Sequence, residues 1–594
     1  MSTKLPPPKI KQRAIDEKRQ ASALEAGLDP VLAKIIAARP FLEEAPPHEL
    51  LSPKLKTLDA PNKLADMDKA VSRLIHALDN NEVIGIETDH DCDGQTSHAV
   101  LYCALTEFLG HPIDRVRSYI GHRLKEGYGL SEAVAKRILK DEPRPSLIIT
   151  ADNGSSDEAQ ISLLKKEGID VIVTDHHEIP VEGIPASAYA VINPTRDDSD
   201  YPDHCIAGCM VAWLFMAATR QQLVNQRGKE IPSLGACLDF VAVGTIADCV
   251  SIARSRNNRA VVSYGMKLIQ QGVRPCWRAI LPLVSTPLSS EDLGFKIGPL
   301  LNSDGRLSCA FGSVSFLLAP DDVEAKRWVE YLQEQNAERK SIQDRITRLA
   351  LSQASIQCHE GNIGLCIFLE EGHAGVHGIS ASRVKDAFGR PTIIFCPKAE
   401  DPELLTGSAR SIDGVHLRNI LQAVSDFDPQ LIERFGGHAG AAGLAIQRKN
   451  LAKFQQVFET MLQAEVTRDM VGPVIWTDGE LSMERLSLPF VEKLVCELEP
   501  FGREFEPPLF EAYGKILSLT PIGQTKTHAR VGIAVEEIWF EAVWFNCRQP
   551  EDPMPVAVED QIKFVFSPKL QTFRGERKLN NQIVHLEKVL LPTF

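Results

Sequence analysis

Four apolar runs in the first 250 residues each stop at a cluster of acidic or histidine side chains. Val83–Ile86 leads into Glu87, Asp89, His90, Asp91, Cys92 and Asp93. Leu147–Thr150 leads into Asp152-Asn153-Gly154, Val171–Thr174 into Asp175-His176-His177, and Gly244–Ile246 into Asp248. Short β-branched runs of this kind read as buried parallel strands. An open α/β sheet places its ligand crevice beyond the carboxyl ends of its strands. Strand ends that deliver several carboxylates and imidazoles to one crevice concentrate negative charge that cations must offset. The feature predicts a metal site on a parallel α/β sheet. Its oxygen and nitrogen donors predict manganese or magnesium rather than a structural zinc.

Composition narrows the class. A chain of 594 residues has room for three or four domains of about 150 residues each. Met1–Pro8 lacks the apolar core of a signal peptide, and no apolar run approaches the roughly 20 residues that span a bilayer, so a cytoplasmic location without membrane contact is expected. The 13 cysteines are scattered with no CxxC pair, which suits free thiols in a reducing compartment. Cys92 lies between carboxylates, which keep a thiol protonated, and is expected to pack rather than react. A net charge of −14 argues against indiscriminate coating of duplex DNA, but leaves room for an enzyme that guides nucleic acid along a confined basic track.

Along the chain, residues 1–30 read as a loosely held arm, followed by short amphipathic helices such as Asp68–Leu78. A helix is expected from Thr96 to Leu109, stopped by Gly110. Strand, acidic turn and helix then alternate to about residue 250, and 255–320 reads as mostly helical. Asp321–Ala354 has no Gly or Pro, and Trp328, Leu332, Ile342, Ile346 and Leu349 fall at helical spacing, predicting a long connecting helix. A second α/β unit follows over Ile363–Ala464. Beyond Pro473, strand-sized segments such as Lys526–Val535 and Lys563–Phe566 alternate with Pro-rich turns, as in a small β-barrel.

The four clusters, in this order and spacing, resemble the DHH phosphoesterase superfamily, spelled here by Asp175-His176-His177. Gly436-Gly437-His438-Ala439-Gly440-Ala441-Ala442-Gly443 is similar to the glycine-rich signature of the DHH-associated domain. Glu126–Leu130, Ile192-Asn193-Pro194, Gly298–Arg306, Asn336–Arg345 and Pro500–Phe510 resemble the RecJ branch in particular. The resemblance implies an α/β fold in five segments. These are an N-terminal arm with short helices (1–60), a DHH domain with a parallel sheet (61–320), a connecting helix (321–355), a DHH-associated α/β domain (356–465) and an OB-like nucleic-acid-binding barrel (466–594).

Carried over residue by residue, the resemblance implies two Mn2+ or Mg2+ ions. Asp91 and Asp152 would hold one, and Asp93, Asp152, His176 and Asp248 the other, with Asp152 bridging. Asp89 and Glu87 join the candidate metal ligands, and His177 would sit at the edge of the site, touching the scissile phosphate or a ligand. Many members carry histidine where this chain has Glu87, and arginine where it has Leu300. Arg306, Arg383, Arg410, Gly436, Gly437 and His438 are candidate substrate contacts. The small-residue run through Gly443 is expected to bring backbone amides to a phosphate at a helix start. His90, His373 and His377 are read as packing or supporting histidines. Lys563, Lys569, Arg574, Arg577 and Lys578, with Phe566 and Phe573 between them, could track and stack a single strand.

The implied activity is 5′→3′ exonucleolysis of single-stranded DNA in repair and recombination, by a monomer recruited by a single-strand-binding protein or a helicase. Two alternatives stay open. One is the same chemistry on short oligoribonucleotides or phosphoanhydrides. The other is a Cdc45-like replication scaffold with weak catalysis.

Overall fold

The structure is a computed structural model that describes residues 5–40, 46, 50–122, 126–228, 230–307, 310–548, 550–573 and 575–589. The chain divides into two compact units, residues 12–332 with 477–594, and residues 1–11 with 333–476.

The larger unit carries the acidic clusters. Its parallel sheet comprises β1 (Ile84–Thr88), β2 (Val116–Ile120), β3 (Leu147–Ala151), β4 (Asp170–Thr174) and β5 (Ala190–Ile192), in the order β2-β1-β3-β4-β5. Every residue of β1 and β3 is buried, which accounts for the Ile and Leu residues that fill both faces of these strands. Register decides the site: Thr88 pairs with Ala151, Ala151 with Thr174, and Thr174 with Ile192. Four strands therefore end level, and the residues that follow three of them (Asp89, Asp152 and Asp175) emerge side by side.

Three helices matter here: α1 (Cys92–Cys103), α2 (Gly208–Arg227) and α3 (Leu238–Ala247). The helix expected from Thr96 begins four residues earlier, because Asp91 caps it by accepting from the Asp93 and Gly94 amides at 3.0 and 3.1 Å. Asp248 corrects the expectation of a strand end: it is the C-cap of α3. Leu238–Ile246 is buried throughout, and a helix buried on every side has no solvent face to reveal its period, so its last turn read as a strand.

A closed five-stranded barrel completes this unit. It comprises β11 (Phe510–Ile522), β12 (His528–Val535), β13 (Ile538–Trp544), β14 (Gln561–Ser567) and β15 (Asn581–Lys588), in the order β11-β12-β13-β15-β14. Its core is continuous with that of the α/β part. The fully buried Arg259 donates to the carbonyls of Leu50, Leu498 and Pro500 at 2.9–3.1 Å and lies 4.5 Å over the Phe505 ring. Gly502 is packed so closely that a Cβ would come within 2.5 Å of Ile252. The Pro500–Phe510 motif is thus where barrel and α/β core meet. Phe566, expected as an exposed stacking residue, is instead fully buried against Phe510 and Phe540, because inward and outward positions alternate along β14.

In the smaller unit, β6 (Leu365–Phe368), β7 (Thr392–Lys398), β8 (Asp401–Arg410), β9 (Arg434–Gly437) and β10 (Ala441–Gln447) form a mixed sheet in the order β9-β10-β8-β7-β6. Lys9–Gln12, expected to be loose, pairs as a strand with Val474–Thr477, a partner more than 460 residues away that no local pattern announces. The connecting helix, α4 (Asp322–His359), starts in the larger unit and ends in the smaller. Ile346, Ala350 and Ala354 face the smaller unit's core, while Leu349 is 48 % exposed. The inward stripe runs through alanine at 350, not leucine at 349. Among the described residues, no helix is long and apolar enough to cross a membrane.

Candidate metal centre

The loop after β1 is built to hold carboxylates. Asp91 turns the chain into α1, and Asp93, one residue inside that helix, is buried. Its two oxygens accept from the first backbone amides of α2, Gly208 at 2.7 Å and Cys209 at 3.0 Å. A helix N-terminus stabilises an anion through those free amides and its dipole. Gly208 is required by crowding, since a Cβ there would lie 2.8 Å from the Asp152 side chain. Asp152 itself has φ +63°, a left-handed conformation uncommon for a residue with a Cβ. That turn carries the side chain from the end of β3 toward Asp93 and His176.

Three overlapping groups of donors result: Asp89, Asp91 and Asp152; Asp93, His176 and Asp248; and Asp152, His176 and His177, each with ligand atoms within 4.8 Å of one another. Asp152 and His176 each belong to two groups. His176 Nε2 stands 3.2 Å from Asp152 Oδ1, 3.6 Å from Asp248 Oδ2 and 3.8 Å from Asp93 Oδ2. The structure thus brings together Asp89, Asp91, Asp93, Asp152, His176, His177 and Asp248. Glu87 is not brought into any of the three groups. It lies within β1, wholly buried, with both carboxyl oxygens lacking a hydrogen bond among the described residues.

The electrostatics follow from crowding. Burial, then the neighbouring aspartates, push the Asp152 and Asp248 carboxyls well above the usual range, and Asp91 rises for the same reasons. Burial lowers His176, keeping it in the neutral form that can donate a lone pair. Burial alone would lower His177 too, but its hydrogen bond to Asp175 and the charges of Asp175, Asp248 and Asp89 push it up to about 10.

Asp175 was missed as a functional residue. Its carboxylate accepts from the backbone amides of His176 at 2.7 Å, His177 at 3.1 Å and Ser155 at 3.0 Å, and from His177 Nδ1 at 2.8 Å. Burial would raise it, yet these bonds hold it well below the ordinary carboxylate range. It sets the path of the loop that presents both histidines. Its signal was its place as the first letter of the Asp-His-His motif. Asn302 accepts from the Cys92 amide at 2.8 Å, so the Gly298–Arg306 motif braces the first acidic loop. Leu300 of that motif is buried in the apolar core. His90 supports Asp89 through its Nδ1 at 2.7 Å, as expected of a supporting histidine.

Comparison with known proteins now bears on this geometry. Residues 83–245 match the DHH family N-terminal domain, 362–464 the DHHA1 domain and 477–585 the RecJ OB domain. Over 549 residues the chain is 33% identical to the single-stranded-DNA-specific exonuclease RecJ of Haemophilus influenzae, covering 90% of this chain and 93% of that protein. The chain belongs to the RecJ family. A RecJ structure in complex with Mn2+, from Thermus thermophilus, shares the fold at a TM-score of 0.77 and 24% identity, covering 98% of this chain and 80% of that one. A second solved relative, an exonuclease RecJ bound to manganese, is 29% identical with a TM-score of 0.56, covering 69% of this chain and 97% of that one.

The residues present fit such ions. Asp152 Oδ1 and His176 Nε2 are buried without a hydrogen bond among the described residues. Buried donors are rarely left unpaired, and a divalent cation satisfies several at once. Carboxylates and one neutral imidazole suit the manganese or magnesium of the RecJ family better than zinc.

The remaining RecJ-like positions lie as follows. Arg306 is half-buried at the end of the Gly298–Leu307 helix in the larger unit. In the smaller unit Arg383 is exposed and pairs with Asp344 at 3.3 Å. Arg410 ends β8, and its Nε donates to Ser382 at 3.2 Å. His377 is buried, and desolvation lowers it to about 4; His373 caps its helix by accepting from the Gly375 amide. Gly436, Gly437 and His438 are exposed, but the glycine run is an antiparallel hairpin of β9 and β10, not the start of a helix. Gly437 sits at φ +136°, and a Cβ there would come 2.4 Å from the Ala441 carbonyl, so glycine spacing here serves a tight reversal. Lys563, on barrel strand β14, pairs with Glu511 at 2.7 Å; beside the barrel, Arg577 and Lys578 on a separate two-stranded hairpin pair with Glu492 at 3.3 Å and Glu576 at 3.4 Å, and Lys569 pairs with Glu291. Arg574 and the Phe573 side chain lie outside the described residues.

Proposed function

We propose that the chain is a single-stranded-DNA-specific exonuclease that hydrolyses phosphodiester bonds with two divalent cations, Mn2+ or Mg2+. The observation that carries this reading is the overlap of the donor groups at Asp152 and His176, in a chain alike to RecJ exonucleases over nine-tenths of its length. Asp89, Asp91 and Asp152 would hold one ion; Asp93, Asp152, His176 and Asp248 would hold the other. When bound, a pair of such ions makes water nucleophilic near neutral pH and offsets charge on the attacking and leaving oxygens.

The protein's own residues do the positioning. The α2 amides fix the Asp93 carboxylate in one orientation, and the αL turn at Asp152 aims the shared carboxylate. Asp175 holds His177 by its Nδ1, and the ring, whose side chain is 59% exposed, would use Nε2 to donate to a phosphate oxygen. In the smaller unit, Arg410 and the exposed Gly436–Gly443 hairpin would grip the terminal phosphate of the strand, with His438 of that hairpin and Arg383, next to the Ser382 that Arg410 bonds, as further contacts. Arg306 would contact the strand near the first acidic loop.

The 5′→3′ direction, the role in repair and recombination, the monomeric state, a cytoplasmic location and recruitment by a single-strand-binding protein or helicase rest on family membership. The test is direct: purified protein with Mn2+ or Mg2+, single strands labelled at either end, and duplex and RNA controls. Release of labelled nucleotide from the 5′ end of single-stranded DNA alone supports the reading; preference for RNA or duplex, or no release, counters it.

A further inference from the structure

The turn Gly502-Arg503-Glu504-Phe505 lies within the segment that docks the barrel, and it also borders the metal centre. Gly502 and Phe505 exchange backbone hydrogen bonds at 3.0 Å in each direction, which closes a two-residue turn with Arg503 and Glu504 at its tip. Glu504 takes the left-handed conformation, φ +64°, that such a tip demands.

The tip is bolted to the loop that follows Asp248. The Arg503 carbonyl accepts from the Ile252 amide at 3.1 Å. Glu504 accepts from the Ser251 hydroxyl at 2.5 Å and pairs with Arg254 at 3.0 Å. Below the tip, Phe505 is fully buried under Arg259, and Phe501 donates its amide to Ser290 at 2.8 Å. A turn anchored at this many points holds its side chains in fixed places.

The Arg503 guanidinium is exposed and reaches back over the loop to the Cys249 carbonyl at 3.4 Å. Cys249 directly follows Asp248, whose carboxylate feels the Arg503 charge. Among the described residues no carboxylate lies within ion-pair distance of Arg503, since Glu504 is taken by Arg254. One weak backbone bond leaves most of its five N–H donors available. An arginine with open donors at the rim of an acidic, cation-holding site suits a bidentate contact with a phosphodiester oxygen pair.

We propose that Arg503 is a substrate-binding residue, contacting one backbone phosphate of the single strand as it enters the metal centre from the Asp248 side. The proposal rests on the exonuclease reading given above. It ties the barrel linker to catalysis: the motif that docks the barrel also contributes a phosphate ligand to the neighbouring domain's site.

The test uses the full-length protein with Mn2+ and a labelled single strand. Wild type is compared with Arg503→Ala and Arg503→Lys on an all-phosphate strand and on strands carrying one neutral methylphosphonate linkage at successive positions. Arg503→Ala should raise KM by about five- to tenfold, the size of one exposed charge-assisted hydrogen bond, with kcat within about twofold. Arg503→Lys should recover part of that loss, and the melting temperature should not move. At one methylphosphonate position, wild type and Arg503→Ala should become equal. An unchanged KM for Arg503→Ala while wild type cleaves overturns the proposal alone. So does a loss of the same size at every methylphosphonate position, because it marks general attraction and not a contact. A wild-type protein that cleaves no single strand overturns the exonuclease reading, and this proposal with it.

Discussion

Asp152 Oδ1 lies 3.2 Å from His176 Nε2, and neither atom has a hydrogen bond among the described residues. Two buried donors this close and unpaired are a costly arrangement unless a cation lies between their groups. Adding Mn2+ to chelator-treated protein should therefore raise its melting temperature, through a stabilisation that grows with the logarithm of Mn2+ concentration and reaches roughly 2.7 kcal/mol at a hundredfold excess over Kd. Differential scanning calorimetry across a Mn2+ titration reads this. A flat melting temperature would mean that the donors are satisfied in some other way.

Glu87 lies within β1 and joins none of the three donor groups among the described residues. Both its oxygens are buried and unpaired, and burial with the charges of Asp157 and Asp89 raises its carboxyl well above the ordinary range. Glu87→Gln should stabilise the metal-free protein, since an amide carries no charge to desolvate. It should leave the two-ion stoichiometry and the ratio of Mn2+-supported to Mg2+-supported activity unchanged. Calorimetric metal titration of both variants decides the matter. Loss of one ion would make Glu87 a ligand after all.

Glu499 offers a pH signature at the barrel junction. It accepts from the Ser290 hydroxyl at 2.6 Å and the Phe501 amide at 3.2 Å, but burial outweighs these bonds and raises its carboxyl to about 7. Between its unfolded value of 4.5 and its folded value, the native state holds the extra proton. Stability should therefore fall as pH rises through that window and level off above it, by up to an amount on the order of 3 kcal/mol. Glu499→Gln should flatten that dependence in urea unfolding between about pH 5 and about pH 8. An equal slope in both proteins would mean that Glu499 titrates as an exposed acid.

Arg410 ends β8 beside β10, paired in register with Ala441 of the glycine hairpin. Arg410→Ala should raise KM for 5′-phosphorylated strands and narrow their advantage over 5′-hydroxyl strands by about tenfold, the worth of one charge-assisted contact. Competition between the two strand types measures that ratio. An unchanged ratio would remove Arg410 from the terminal-phosphate role.

The strand-end carboxylates were legible because two periodicities agreed: apolar runs of strand length, and acidic residues where those runs stop. Asp89, Asp152 and Asp175 then fall level by register alone. Asp248 gave the same local signal for a different reason, since a helix buried on all sides hides its period. The glycine run at 436–443 was legible as a close-approach element but not as a hairpin, because glycine and alanine specify freedom more than shape. Phe566 and Lys563 lie on one strand, and only the closure of the barrel tells which of them faces inward. The roles of Asp175 and Arg503 depend on partners 20 and more than 250 residues away, which no local pattern encodes.

Hydrolysis by Asp152→Asn tests the central claim most directly. The substitution keeps the shape of the side chain that both donor groups share and removes its charge. The measurement is nucleotide release from a 5′-labelled single strand at saturating Mn2+, beside wild type. Wild type should degrade the strand, and the variant should retain less than about one per cent of that rate, the loss expected when charge stabilisation by a metal pair fails, with a melting temperature in chelator no lower than that of wild type, since the amide relieves the crowding of buried carboxylates. A variant that degrades single-stranded DNA at more than a few per cent of the wild-type rate would contradict a metal pair centred on Asp152.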